Sequence, residues 1–310
     1  MPAPRAVKAT NLRQALDWGR LGPLRLRARE VAEGLYSGPH RSVRRGSGVE
    51  FGGHRNYVAG DDLRFIDRRA VMRHDRLLVR EFETETDRGI RFLIDATRSM
   101  AYRSDGAPGA KLAFASLIAA ALARVALSGH DAVSLDWIGG ADARPLASTG
   151  GTDAFDRLVT ALEPATASGD VHDDLASVDR SVARVTRRTR RGTVVVVLSD
   201  FLDLPDGSLS RIASLASGGR ALVGVRVLDP AEVSFPFDGP VRLRASEGDF
   251  EIETDAGAAR TAYLARFREA TSALEAEFAR HGARFVDATT TDDPVATVGN
   301  VLSALERSAP

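Results

Sequence analysis

The sequence predicts an α/β fold: a doubly wound, mostly parallel sheet with helices on both faces. Three observations carry that expectation. From residue 89 onward, strand-like and helix-like segments alternate, the order expected of an open parallel sheet. The run TVVVVLSD (193–200) is β-branched almost throughout, which marks a strand buried on both faces. The segment KLAFASLIAAALARVAL (111–127) is apolar nearly all round, as expected of a helix buried against a sheet.

The elements follow in order. Helical spacing at Leu12, Leu16, Leu24, Ala28, Val31 and Leu35 is broken by Gly22-Pro23 into two short helices with Arg on their polar faces. Packing on the body of the protein is preferred for them over lying on a membrane. Residues 36–60 interleave Gly, Arg and His with apolar and aromatic residues, which suggests turns and close backbone approaches rather than a flexible linker. LRFID and RLLVREFETE read as strands, and GIRFLID (89–95) as the first strand of the sheet. DAVSLDWIG alternates as a strand, with ARPLAS as its edge neighbour; DAFDRLVTAL and DLASVDRSVARVTRR are amphipathic helices. A helix from Leu209 to Ala216 and the strand RALVGVRVLD come next. Pro230 to Asp255, with its Asp238-Gly239 turn, reads as a β-hairpin insertion. A long helix over about 257–281, the strand ARFVDA and a last helix over about 293–306 close the chain. The expected division is a basic helical and β extension (1–88) and an α/β domain (89–310).

Composition narrows the function classes. The chain has 310 residues, 44% apolar and 27% charged, ample for a sizeable core. With no Cys, disulfides, thiolate metal sites and a nucleophilic Cys are excluded. The first twenty residues lack a secretory apolar region, and LAFASLIAAALA (112–123) is too short to span a bilayer, so a soluble, cytoplasmic protein is expected. Formal net charge is zero but uneven: residues 1–80 hold 17 Lys and Arg against 8 Asp and Glu, a net of +9, which leaves −9 for the rest. Two parts of one molecule attracting each other, or a solvated basic surface, accounts for this most simply; an acidic partner or an anionic surface is the sharper reading. No aromatic-interleaved basic patch or DNA-binding motif is present, so no nucleic acid is expected.

The chemistry collects where strands end. In an open parallel sheet, ligands bind at the carboxyl ends of the strands. Two buried strands end in Asp, FLID95 and VVVVLSD200, and Thr97 and Ser99 follow the first within four residues. If the strands are neighbours, two carboxylates and two hydroxyls share one crevice. Such hard oxygens suit Mg²⁺, which keeps several waters and needs few protein ligands. The alternative is an Asp that only caps the turn after its strand.

Asp95-Ala-Thr97-Arg-Ser99 resembles the Asp-x-Ser-x-Ser signature of von Willebrand factor type A domains, whose Rossmann-like fold carries a metal-ion-dependent adhesion site in this loop. More specifically, the chain resembles the bacterial "domain of unknown function 58" family. The resemblance rests on RGSGVEFGGHRNYVAGDDLRFID (45–67), VREFETE (79–85), VVLSDFLD (196–203), the RVLDP turn, the FPFDG stretch and the closing TTDDP, and covers about residues 36–305. It implies a noncatalytic protein-binding module. Thr97 and Ser99 would ligate the metal directly, Asp95 and Asp200 mostly through water, and a partner carboxylate would fill the open position. A third loop normally supplies a Thr; here GDVHDDL stands there, and Asp173 takes the Thr position. A second departure is Arg68, where the family usually has Trp. Family members resemble partners of MoxR-type AAA+ ATPases, so the resemblance implies an adaptor or co-chaperone-like protein that presents a client. Near the hallmark, Asp61, Asp62 and Asp67 with Arg55 and Arg64 read as a turn locked by Asp side chains and Arg pairs.

Two other classes stay open. A strand-terminal Asp95 is similar to the nucleophile of haloacid-dehalogenase-like phosphotransferases, with Ser199 a strand-end hydroxyl and Lys111 a phosphate binder; the second Asp of that signature is replaced by Thr97. Lys111 is otherwise a helix-start lysine in water. A regulatory subunit binding through the basic face of residues 1–80 is the other. SDGAPGAKL lacks phosphate-loop spacing, and no GxGxxG, GxSxG or HExxH occurs. His172 beside Asp173 and Asp174 reads as a solvated helix start.

Overall fold

A computed structural model gives the fold. It describes residues 24–37, 50–56, 78–83, 89–174, 176–202, 204–244 and 251–307. The expectations for the first helix, the LRFID strand and the Asp61, Asp62, Asp67 turn lie outside the described residues. The chain divides into two compact units, 42–88 and the remainder. In the smaller unit, β1 (Glu50–Asn56) and β2 (Leu78–Glu83) form an antiparallel pair with an irregular register between Phe51 and Gly53. Helix α1 (Leu24–Ser37) packs on the larger unit, the packing preferred for it from sequence. Leu24, Ala28, Val31 and Leu35, the residues whose spacing predicts it, are its buried stripe.

The larger unit is built on six strands: β3 (Gly89–Ala96), β4 (Ala132–Gly139), β5 (Leu146–Thr149), β6 (Val194–Ser199), β7 (Ala221–Leu228) and β10 (Arg284–Thr289). Their order is β10-β7-β6-β3-β4-β5, all parallel except the edge strand β5. The predicted doubly wound sheet is therefore present, and ARPLAS contains the edge strand beside β4. Helices α2 (Lys111–Ser128), α3 (Ala154–Leu162) and α8 (Pro294–Glu306) join α1 in one core layer. The other layer holds α4 (Ala176–Arg188), α5 (Ser208–Ala213) and α7 (Ala256–Arg280).

Side chains alternate between the layers with the two-residue period of a strand. Phe92, Ile94 and Ala96 of β3 enter the first core, while Leu93 enters the second. In β6, Val196 and Leu198 take the first and Val195 and Val197 the second. Among the described residues, α2 is the one helix long and apolar enough to cross a membrane, and 72% of it is buried inside the body.

Two features need tertiary partners to be understood. Asp136 sits on β4 as the polar member of an alternating run, yet β4 is covered on both faces. Its carboxylate accepts from Arg91 at 2.8 Å, and both side chains are buried. Burial lowers the Arg91 pKa, and the nearby Arg188 charge adds to this against the pull of Asp136. Gly224 lies in the middle of β7, where a Cβ would stand 2.4 Å from the Phe278 ring of α7. Only glycine admits that ring, which packs edge-on against Phe201 at 5.5 Å between centroids.

The hairpin region departs from its expectation. Residues Pro230–Ser234 form a short helix, α6, opened by a reciprocal capping box between Asp229 and Glu232. The two strands are β8 (Pro240–Arg244) and β9 (Glu251–Asp255), so Asp238-Gly239 precedes the hairpin rather than turning it. Gly239, at a φ of 68°, bends the chain into β8, and its carbonyl accepts from Ala256 as α7 begins.

Candidate functional site

The sheet order creates a switch point between β3 and β6. The chain leaves β3 toward β4 on one side and β6 toward β7 on the other. Loops that diverge at neighbouring carboxyl ends leave a crevice between them. The register pairs Ile94 with Leu198, which sets Asp95 level with Ser199 on the same side of the sheet.

The loop after β3 winds into a 3₁₀ turn (Arg98–Ala101), and its polar groups fold back onto Asp95. The backbone N–H and hydroxyl of Thr97 donate to Asp95 Oδ1 at 2.9 and 2.7 Å. Ser199 donates to Asp95 Oδ2 at 2.6 Å. The hydroxyls of Thr97 and Ser99 lie 3.3 Å apart. After β6 the chain turns sharply through Phe201, whose φ of 51° falls in the left-handed region. Its N–H donates to Ser199 Oγ at 2.9 Å, and its ring is buried against Phe278 and Phe285. Asp200 Oδ1 accepts from the Leu202 N–H at 3.0 Å.

The remaining oxygen of Asp200 meets a group expected, from sequence, to lie in water. Lys111, the first residue of α2, is 0% exposed. Its Nζ donates to Asp200 Oδ2 at 2.7 Å and to Glu232 Oε1 at 2.6 Å. Glu232 Oε2 accepts from the Asp229 N–H, closing the α6 capping box, and its carbonyl accepts from the Tyr263 hydroxyl at 2.7 Å. Asp229 Oδ2 in turn accepts the Ser104 N–H at 2.8 Å, tying the β3 loop to the end of β7. The crevice floor thus holds two hydrogen-bonded groups side by side, one around Asp95 from β3 and β6 and one around Lys111 from α2, the end of β6, α6 and α7.

Four of the five residues singled out in the sequence come together here. Asp95, Thr97, Ser99 and Asp200 are all buried, none more than 5% exposed. Asp173 is exposed. The third loop does reach the site, but through earlier residues: Ser168 donates its N–H to the Ala96 carbonyl at 2.8 Å, and the Arg98 N–H donates to Gly169 O at 3.0 Å. The acid next to that contact, Asp170, is buried, and its Oδ1 accepts the His172 N–H.

Charge in the cluster is set by burial. Burial pushes the Asp95 carboxyl up to about 7, the Asp200 charge adds to this, and the Ser199 and Thr97 hydrogen bonds oppose it. For Lys111, burial alone favours the neutral amine. The Asp200 and Glu232 charges outweigh it, so the net shift is upward and the ammonium persists. Burial also raises the Glu232 carboxyl, with Lys111 pulling it back. Burial likewise raises the Tyr263 hydroxyl, to about 12, reinforced by Glu232.

Tested against Mg²⁺, the donor set fits in its hydroxyls, while the carboxylate of Asp200 already holds a cation, the Lys111 ammonium. Thr97 and Ser99 are close enough to share a cation, and the Thr97 hydroxyl donates its hydrogen bond to Asp95. But both oxygens of Asp95 and both of Asp200 already accept hydrogen bonds, one of them from an ammonium. Among the described residues, no group of three or more His, Asp or Glu side chains is arranged to hold a metal ion.

The sheet order and the helices on both faces define a doubly wound, mostly parallel α/β domain. The chain belongs to the family described as "Protein of unknown function DUF58", whose sequence model matches residues 53–273. Among curated proteins it is similar to uncharacterized proteins of Mycobacterium tuberculosis and Mycobacterium bovis, each 28% identical over 228 residues, covering 73% of this chain and 70% of the relative. Among solved structures, it is similar to BatB from Bacteroides thetaiotaomicron, with a TM-score of 0.44 and 12% identity over 71% of this chain and 99% of that one. A von Willebrand factor type A protein from Catenulispora acidiphila gives a TM-score of 0.35 and 13% identity, over 71% of this chain and 42% of that one.

Proposed function

We propose that this protein is a noncatalytic, cytoplasmic binding module that serves a MoxR-type AAA+ ATPase as an adaptor and presents a client to it. The observation that carries the reading is the state of the crevice at the switch point. It holds the polar groups expected of a recognition site, yet each group that could act chemically is engaged. Asp95 accepts hydroxyl donors on both oxygens, an arrangement that favours a structural role over attack on a phosphoryl group. Lys111 is enclosed between Asp200 and Glu232 and offers nothing to a phosphate. The ATPase as partner comes from the resemblance of the family to such partners.

The loop that would meet the partner carries Arg98, exposed between the buried Thr97 and Ser99. Reconstitution with the ATPase tests the proposal: the wild-type chain binds, and Arg98→Glu binds at least about tenfold more weakly with its fold unchanged. Equal binding by both proteins, or none by either under cross-linking, counts against it. An aryl-phosphate assay addresses the phosphotransferase alternative. Turnover that disappears in Asp95→Asn would establish an enzyme in place of a binding module.

A further inference from the structure

We infer that Lys111 is the resident cation of the strand-end site, a single positive charge holding the Asp200 oxygen that a divalent ion there would need. Its Nζ touches one oxygen of Asp200 and one of Glu232, at 2.7 and 2.6 Å, with no exposure to solvent. A buried ammonium between two carboxylates is one compact positive centre that relieves repulsion between acids in a dry site, as a bridging metal would, but with half the charge of a divalent ion. Tyr102 places its ring 5.9 Å from the same nitrogen, an added source of negative potential.

Residue choice points the same way. Of the 42 basic side chains, 40 are Arg, and Lys occurs only at positions 8 and 111. A guanidinium is planar and wide and offers its donors in a fork; an ammonium is a point charge with radially disposed donors. Where this chain encloses a cation between acids at the switch point, it departs from its otherwise almost uniform use of Arg. The position at the helix start matters too. The first turn of a helix presents free N–H groups and positive potential, which favours the acids rather than the lysine. Lys111 stays charged there only because Asp200 and Glu232 arrive from β6 and α6.

The consequence is that Asp200 has its counter-charge without a metal. The consequence for partner capture rests on the binding-module reading above: capture is insensitive to chelators. The ion arm of the test does not rest on it. Purified protein is titrated with Mn²⁺, followed by water-proton relaxation enhancement and by thermal unfolding. Wild type shows no saturable enhancement at millimolar Mn²⁺ and no change in Tm. Lys111→Ala opens the position and binds Mn²⁺ about tenfold or more tightly than wild type, with a rise in Tm on ion addition. Because removing Lys111 leaves two buried acids unpaired, K111Q/E232Q is measured beside it; this pair deletes the ammonium with one of its two partners and keeps Asp95, Thr97, Ser99 and Asp200. Saturable binding by wild type that is lost in Asp200→Asn overturns the inference. So does a variant that folds and still ignores the ion, since Lys111 then holds no ion's place. ATPase binding in EDTA reports separately on the adaptor reading.

Discussion

Replacing Asp95 with Asn has an effect on stability that should depend on pH. Asp95 keeps its proton in the folded protein up to about pH 7, because burial and the Asp200 charge penalise its ionised form. In an unfolded chain the same group titrates near about 3.9. Between those values the folded state holds one more proton than the unfolded state. A folded pKa that is raised contributes stability that is full below about pH 4 and is lost as pH rises through about 7. The gap between the folded and unfolded values corresponds to at most ~4 kcal/mol. Asn cannot ionise, and it keeps an oxygen for Thr97 and the shape of the carboxyl. Asp95→Asn therefore gains on wild type as pH rises, by up to ~4 kcal/mol at pH 8, with the gain vanishing near pH 4. Urea denaturation of both proteins at pH 4.5 and pH 8 measures this. If Asp95→Asn is instead less stable at pH 8 than wild type, the carboxylate is ionised and held by a cation, and the account of Asp95 is wrong.

Other perturbations test the scaffold around the site. Asp136→Leu leaves Arg91 buried without its carboxylate and should cost about 3–5 kcal/mol in chemical denaturation, whereas an exposed pair would cost under about 1. Gly224→Ala drives a Cβ into the Phe278 ring and should cost about 1–3 kcal/mol; Gly224→Ala with Phe278→Leu should recover part of it, and additive losses would contradict the contact. Ser199→Ala removes a donor to Asp95 and the acceptor of the Phe201 N–H, so a loss of about 1–3 kcal/mol is expected by the same measurement.

Much of the architecture is readable from local patterns because local physics sets it. The continuous β-branched run of β6 marks a strand covered twice, and the apolar girth of α2 marks a helix between layers. Asp95 and Asp200 are conspicuous because each interrupts an apolar strand at its carboxyl end. Their neighbourhood follows from sheet order, which puts β3 beside β6. What sequence cannot supply is the partner that arrives from far along the chain. Lys111 meets acids 89 and 121 residues later, so nothing local distinguishes it from a solvated helix-start lysine. One cue is present: a charge opening the twelve-residue apolar stretch of a helix (112–123) must find a partner or leave the core. Asp136 carries the same ambiguity, since alternation on β4 suggests a wet face where α4 in fact lies. The hairpin turn is displaced from Asp238-Gly239 although Asp-Gly is a strong turn signal; the Asp229-Pro230-x-Glu232 pattern, a helix start, is the competing signal that the structure obeys. In the third loop, GDVHDDL offers three Asp within five residues, and spacing cannot choose between the buried Asp170 and the exposed Asp173.

The central claim is that the switch-point crevice recognises a partner and does no chemistry. Its most direct measurement is the affinity of the purified chain for the AAA+ ATPase in EDTA, wild type beside Arg98→Glu. The account predicts saturable binding by wild type that weakens about tenfold or more when the loop charge is reversed. Affinity unchanged by that reversal contradicts it.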